Sequence, residues 1–155
     1  MASHDGTPRE VDLRDSDLCD GDLRLVAVHR AGETVWRYEM RLGERLAGII
    51  RLRLSLTPAE ERELGAVGYH VFPFYRGRRL SERACRLLIP VIAGAGRASV
   101  LITCDTGNAA SRRICERLGA EHIASIPTEP DAASPATRLL FRLPIAAPSR
   151  RRAAG

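Results

Sequence analysis

The residues best suited to gripping an anion lie between Gly65 and Gly119. An apolar stretch ending at Val71-Phe72-Pro73 runs through Phe74-Tyr75-Arg76-Gly77-Arg78-Arg79 and enters a helical pattern near Leu80. Successive backbone N–H groups in such a turn, with the unpaired donors of the helix's first turn, make a concavity for phosphate. Arginine side chains around it add charge-assisted bonds. The same residues also read as an ordinary strand-to-helix turn with solvated arginines, and spacing alone does not choose between the two. Cys19, Cys85, Cys104 and Cys115 show no Cys-x-x-Cys pairing, which argues against structural zinc or a disulfide framework. They are read as free thiols in a reducing cytoplasm, with no metal site.

The chain that must position this stretch has 155 residues, 45% hydrophobic and 28% charged, a length that suits one domain. No apolar run approaches the ~18 residues of a membrane helix. The polar, acidic first twenty residues do not read as a secretory signal. The net charge is +5 and all 24 basic residues are Arg. A GC-rich, bacterial-like genome gives such a composition, so the basicity does not require a nucleic-acid partner. The aromatics Trp36 and Tyr38 point the same way, because they lie on an apolar strand face that suits core packing better than base stacking.

Organisation follows from periodicity. Residues 1–10 read as disordered, residues 11–145 as one folded domain, and residues 146–155 as a disordered Arg-rich tail. Val11 to Arg14 and Leu23 to Arg30 are short strand candidates on either side of turn-rich aspartates. Trp36, Tyr38, Met40 and Leu42 alternate with Arg37, Glu39 and Arg41, the period of a half-buried strand. Gly43-Glu44 turns the chain into a second strand through Leu54. Thr57-Pro58-Ala59-Glu60 has the form of a capping box, predicting a short helix that ends near Leu64-Gly65. A strand follows over Val67 to Phe72 and a helix from about Arg79 to Ala93, which Pro90 should kink or end early. Ser99 to Cys104 reads as a buried strand and Ala109 to Leu118 as a helix closed by Gly119. His122 to Ile126 and Arg138 to Leu143 are final strands, joined by a loop from Pro127 through Pro135. The order predicts an α+β domain with a mixed, mostly antiparallel sheet and helices packed on it.

Two blocks in this order are recognisable. The run from Gly68-Tyr69-His70-Val71 through Arg76-Gly77-Arg78-Arg79-Leu80-Ser81 to Ala84 resembles the acyl-CoA motif of the GNAT superfamily of N-acyltransferases. The block from Ile102-Thr103-Cys104-Asp105 through Asn108-Ala109-Ala110-Ser111 to Leu118-Gly119-Ala120 resembles that superfamily's next strand, Asn and helix. With the hairpin and the last strands, the resemblance covers roughly residues 23–145. It implies a sheet splayed between strands 67–72 and 99–104, with an acyl-pantetheine arm in the opening. Acetyl-CoA or another acyl-CoA is then the expected donor. Backbone near Val71 would pair with the arm, amides from Arg76, Gly77, Arg78, Arg79, Leu80 and Ser81 would hold pyrophosphate, and Asn108 and Ser111 complete the cofactor-binding set. An amine, free or borne on a macromolecule, attacks directly, with catalysis by orientation and oxyanion-type stabilisation.

The departures from the family pattern are specific. The motif Arg/Gln-x-x-Gly-x-Gly/Ala has Arg79 in place of a Gly, so either Arg79 points away from a bound phosphate or the loop contacts something else. The helix position that usually holds the acid Tyr is Cys115; a thiol can protonate a thiolate of similar basicity, or Cys115 packs as a small hydrophobe. The usual Glu base falls at or near Gly65. Glu63, Tyr69 and His70 are the nearby candidates. An imidazole's ordinary pKa of ~6.5 suits the task, a partly exposed polar residue is the plainer reading of His70, and a water chain is a further route. The short turn between Arg30 and Thr34 leaves the acceptor-lid helices reduced or missing, so the acceptor side is expected to be open or completed by another chain. Two alternatives remain at this level. One is an acidic acyl carrier protein as donor, docked on Arg76–Arg79; the other is a non-catalytic module binding CoA or an amine. A homodimer is expected on family resemblance.

Overall fold

The computed structural model describes residues 17–127 and 137–146. The strand candidate at Val11, most of the loop before Arg138 and the Arg-rich tail lie outside those residues. The element order is β1 (Leu18–Asp20), β2 (Leu23–Ala27), β3 (Val35–Leu42), β4 (Arg45–Arg53), α1 (Pro58–Leu64), β5 (Val67–Val71), a 3-10 turn (Pro73–Tyr75), α2 (Leu80–Gly94), β6 (Ser99–Asp105), α3 (Ala109–Arg117), β7 (Glu121–Pro127) and β8 (Thr137–Pro144). The strands form two antiparallel ladders, β1-β2-β3-β4-β5 and β6-β8-β7. The three helices pack on this open α+β arrangement, α2 against β2 and β5, α1 and α3 against β6.

The β3–β4 hairpin pairs Val35 with Arg53 through to Leu42 with Arg45, with a bulge at Met40/Arg41. That bulge shifts the alternation of β4, so Ala47 and Gly48 are both buried before Ile50 and Leu52 resume the inward face. Gly48 is required there: a Cβ would stand 2.4 Å from the His70 carbonyl oxygen on β5. Strand β1 was not expected from the sequence. Its turn at Asp20-Gly21-Asp22 is fastened to α2 by Arg83, which reaches Asp20 at 2.9 Å and Asp22 at 2.7 Å.

Helix α1 is capped by Thr57, whose hydroxyl accepts the Glu60 N–H, with Pro58 in the first turn. Helix α2 does not stop or break at Pro90; it continues to Gly94. Pro90 and the residue one turn earlier, Arg86, are both exposed, so the carbonyl left without an N–H partner faces water. On the opposite side, buried Leu88, Val91 and Ile92 hold the helix down. Full burial of such a side chain contributes about 1.5–3 kcal/mol, enough to offset a proline on the wet face. One continuous apolar cluster joins Leu23, Tyr38 and Ile50 of the first ladder to Val100, Ile102 and Phe141 of the second.

Between β2 and β3, residues 28–34 make a turn with no helix. The lid helices that the resemblance places there are missing.

Candidate active site

Strands β5 and β6 belong to different ladders but start together. The Ala66 N–H donates to the Leu101 carbonyl at 2.7 Å. Gly65 sits at the same closed end with φ +74, and a Cβ on it would lie 3.1 Å from the Thr103 nitrogen. Any side chain there would be strained by the positive φ and would crowd Thr103. Glu61, only 6% exposed, ties α1 to this end: its carboxylate accepts from Arg97 at 2.8 Å and from the Leu101 N–H at 2.9 Å. Beyond this point β5 pairs only with β4, while β6 turns to β8. The strands diverge as a wedge.

The wedge opens into a cleft of about 600 Å³, within the range that holds small ligands. Its walls include Tyr69, His70 and Val71 of β5, Arg76, Gly77, Arg79, Leu80 and Ser81 of the turn and α2, and Asn108 and Ser111 of α3. Three successive β5 residues reach it because the cleft runs along the unpaired edge of that strand. Phe72 uses its N–H to bond Ala47 of β4 at 2.9 Å. Alternation along an antiparallel ladder then turns the N–H and C=O groups of Val71 and Tyr69 to the free edge. The Val71 carbonyl accepts from Arg76 Nε at 3.3 Å.

The turn between β5 and α2 takes an unexpected conformation. Arg79 is the N-cap of α2 and adopts φ 56, ψ 29, the only left-handed residue other than glycine among the described residues. Such backbone costs an L-residue roughly 1–2 kcal/mol. Arg79 thus does with strain what the family's Gly does freely. Arg78 is not on the cleft wall; its guanidinium lies 5.8 Å from the Tyr75 ring centroid.

At α3, the Asn108 side-chain oxygen accepts the Ser111 N–H at 3.0 Å, which leaves the Asn108 amide N–H groups as donors. The Ser111 and Tyr69 hydroxyls are 2.5 Å apart. Burial raises the Tyr69 pKa well above the phenol range, only partly offset by the Ser111 hydrogen bond. The phenol is therefore a protonated donor at any physiological pH.

Two sequence candidates do not reach this site. Cys115 is fully enclosed and is not among the residues that line the cleft. Burial pushes its thiol up to about 12, with Cys104 adding to the shift. The period of α3 explains this: position 115 falls on the side that packs toward β6. Glu63 is an exposed residue of α1, and its backbone carbonyl accepts from Arg138 at 2.7 Å; it is not on the cleft. Arg113, Ile114 and Arg117 do line the cleft and received no role from the sequence. Their spacing with Ala110 on one helical face was the available signal. Among the described residues, no cluster of three or more His, Cys, Asp or Glu could hold a metal ion.

Strands β5 and β6 thus form a wedge closed by one backbone bond and opening onto an arginine-lined helix start. The GNAT acetyltransferase domain model matches residues 15–121, more than half of the chain. The protein belongs to the GNAT acetyltransferase family. No curated protein sequence is similar to it, but its fold is shared by many solved structures. One is the microcin C7 self-immunity acetyltransferase in complex with acetyl-CoA and AMP, 16% identical, TM-score 0.60, covering 72% of this chain and 62% of that one. A second is the ribosomal L7/L12 alpha-N-protein acetyltransferase in complex with CoA, 16% identical, TM-score 0.61, covering 72% and 63%. A third, from Salmonella typhimurium, modifies the N-terminal serine of ribosomal protein L7/L12; it is 16% identical, TM-score 0.60, with 73% and 65% covered. The chain thus spans less than two thirds of the length of these neighbours.

Proposed function

We propose that this protein is an N-acyltransferase that moves an acetyl or other acyl group from an acyl-CoA to an amine by direct attack. The observation that carries the reading is the unpaired edge of β5, which faces a cleft with an anion-binding turn at its mouth. Backbone N–H groups from Arg76 to Ser81, with the Arg76 and Arg79 side chains, hold the pyrophosphate. The free edge at Val71 and Tyr69 and the Asn108 amide bond the pantetheine arm. Held this way, the thioester carbonyl lies beside β5 backbone donors, and orientation supplies most of the rate gain.

The amine nitrogen bonds to the carbonyl carbon, the C–S bond breaks, and sulfur leaves as thiolate. The Tyr69 phenol gives that thiolate its proton and is reprotonated through Ser111. His70, exposed on the cleft wall, takes the proton that the new ammonium loses. The absence of lid helices over residues 28–34, and neighbours that include an alpha-N-protein acetyltransferase, support an open acceptor side and a macromolecule-borne amine.

The test is thiol release from acetyl-CoA across a panel of amino acids, polyamines and peptides with free N-termini. Amine-dependent release with matching acylated product is the expected result. Bound CoA with no transfer to any amine would leave a binding module and overturn the catalytic reading. Release only from acyl carrier protein would overturn the choice of donor.

A further inference from the structure

We propose that Arg113 and Arg117 form a second anion subsite in the cleft, one that reads the 3′-phosphate of the CoA nucleotide. The proposal rests on the acyl-CoA reading above and sharpens it, because it selects free CoA over carrier-bound phosphopantetheine.

Four arginines line the cleft: Arg76 and Arg79 from the turn, Arg113 and Arg117 from α3. No Asp or Glu is among the lining residues. The acid of α3, Glu116, pairs with Arg112 at 3.3 Å. Among the described residues, neither Arg113 nor Arg117 has a carboxylate within ion-pair distance. They stand one helical turn apart, where like charges repel. The neighbouring Arg86 donates to the Arg117 carbonyl at 2.8 Å and pairs with Glu82 at 3.6 Å. Ala110, on the same face, takes up little room. The fold therefore tolerates an uncompensated pair of cations on a cleft wall separate from the turn.

Ligand chemistry decides what that pair is for. A phosphopantetheine attached to a carrier serine presents one phosphodiester, which the turn with Arg76 and Arg79 already satisfies. CoA presents a pyrophosphate and, on its ribose, a separate phosphate monoester. Two guanidiniums on a second wall match that second centre, and arginine suits it by bidentate geometry.

Binding of CoA, 3′-dephospho-CoA and 4′-phosphopantetheine is measured by titration calorimetry, for the wild type and for R113Q/R117Q. The wild type should bind CoA about ten-fold tighter than 3′-dephospho-CoA, the range of a charge-assisted bond, with a steeper salt dependence. In the double variant that ratio should collapse toward one, while a matched thermal melt shows that the fold is intact. Equal wild-type affinity for the two nucleotides would overturn the subsite and leave the acyl-CoA reading standing. A ratio that survives in the variant would remove Arg113 and Arg117 from the role. Failure of CoA itself to bind would overturn both.

Discussion

Tyr69 and Ser111 meet across the cleft from different elements, a strand and a helix, with 2.5 Å between their hydroxyls. Burial raises the Tyr69 pKa and makes the phenol a weaker acid, while the Ser111 hydrogen bond works the other way. The Ser111 partner therefore matters whenever the phenol gives up its proton. Tyr69→Phe should lower kcat about 100-fold with little change in CoA affinity; an unchanged kcat would remove Tyr69 from proton transfer. Cys115→Ala should keep turnover and cost about 1 kcal/mol of stability, read as a lower urea midpoint. The thiols also set a pH limit. Burial pushes Cys85 and Cys115 up from an ordinary 9.0 to about 12. Between those values the native chain keeps protons that the unfolded chain has lost. Stability is complete below about pH 9 and declines as pH rises toward 12. Urea midpoints at pH 7.5 and 10.5 check this, and the decline should shrink in Cys85→Ala.

Among the elements, β5 has the most exacting placement. It is held on one side only, by β4, and its closest approach is at Gly48, where no Cβ fits against the His70 carbonyl. Gly48→Ala should push β5 away from β4, costing about 1–3 kcal/mol and weakening CoA binding together with stability. Helix α2 begins with the opposite situation, a residue that fits poorly. Arg79 holds a left-handed conformation at the helix start, a form of local strain found at ligand sites. Arg79→Gly should raise the melting temperature, a gain of about 1 kcal/mol. CoA affinity measured alongside separates the backbone's part from that of the guanidinium. An unchanged or lower melting temperature would mean that the side chain's contacts outweigh the strain.

For the whole molecule, the candidate active site lies where two ladders fail to merge. Ala66 and Leu101 join them by a backbone bond, and Glu61 reinforces that end from α1 through Arg97 and the Leu101 N–H. Glu61→Ala would leave the half-buried Leu101 N–H without its carboxylate partner and loosen α1 from β6. It should cost about 2–3 kcal/mol and loosen the wedge at its apex, read by amide exchange at Ala66 and Leu101. Exchange protection unchanged from wild type would mean that packing alone holds the apex. Electrostatics act at this scale too. Glu61 of α1 and Glu116 of α3 are engaged by Arg97 and Arg112, and the residues lining the cleft include four arginines and no acid.

Much of this architecture is written in local patterns. Alternation at Trp36–Leu42, the Thr57-Pro58 cap and the glycine after α3 depend on neighbours a few residues apart, so the sequence carries them directly. The turn at Arg76–Arg79 is legible for the same reason, being a single strand-to-helix connection. The sequence did not show that α2 passes through Pro90, because burial of Leu88 and Val91 by distant strands outweighs a local breaker. Nor could it place Cys115, which helical phase against β6 turns inward, or bring Tyr69 to Ser111, 42 residues apart. Which side chains face one another across a gap is fixed by how separate elements pack. Only the tertiary structure decided that Tyr69 lines the cleft while Cys115 is enclosed.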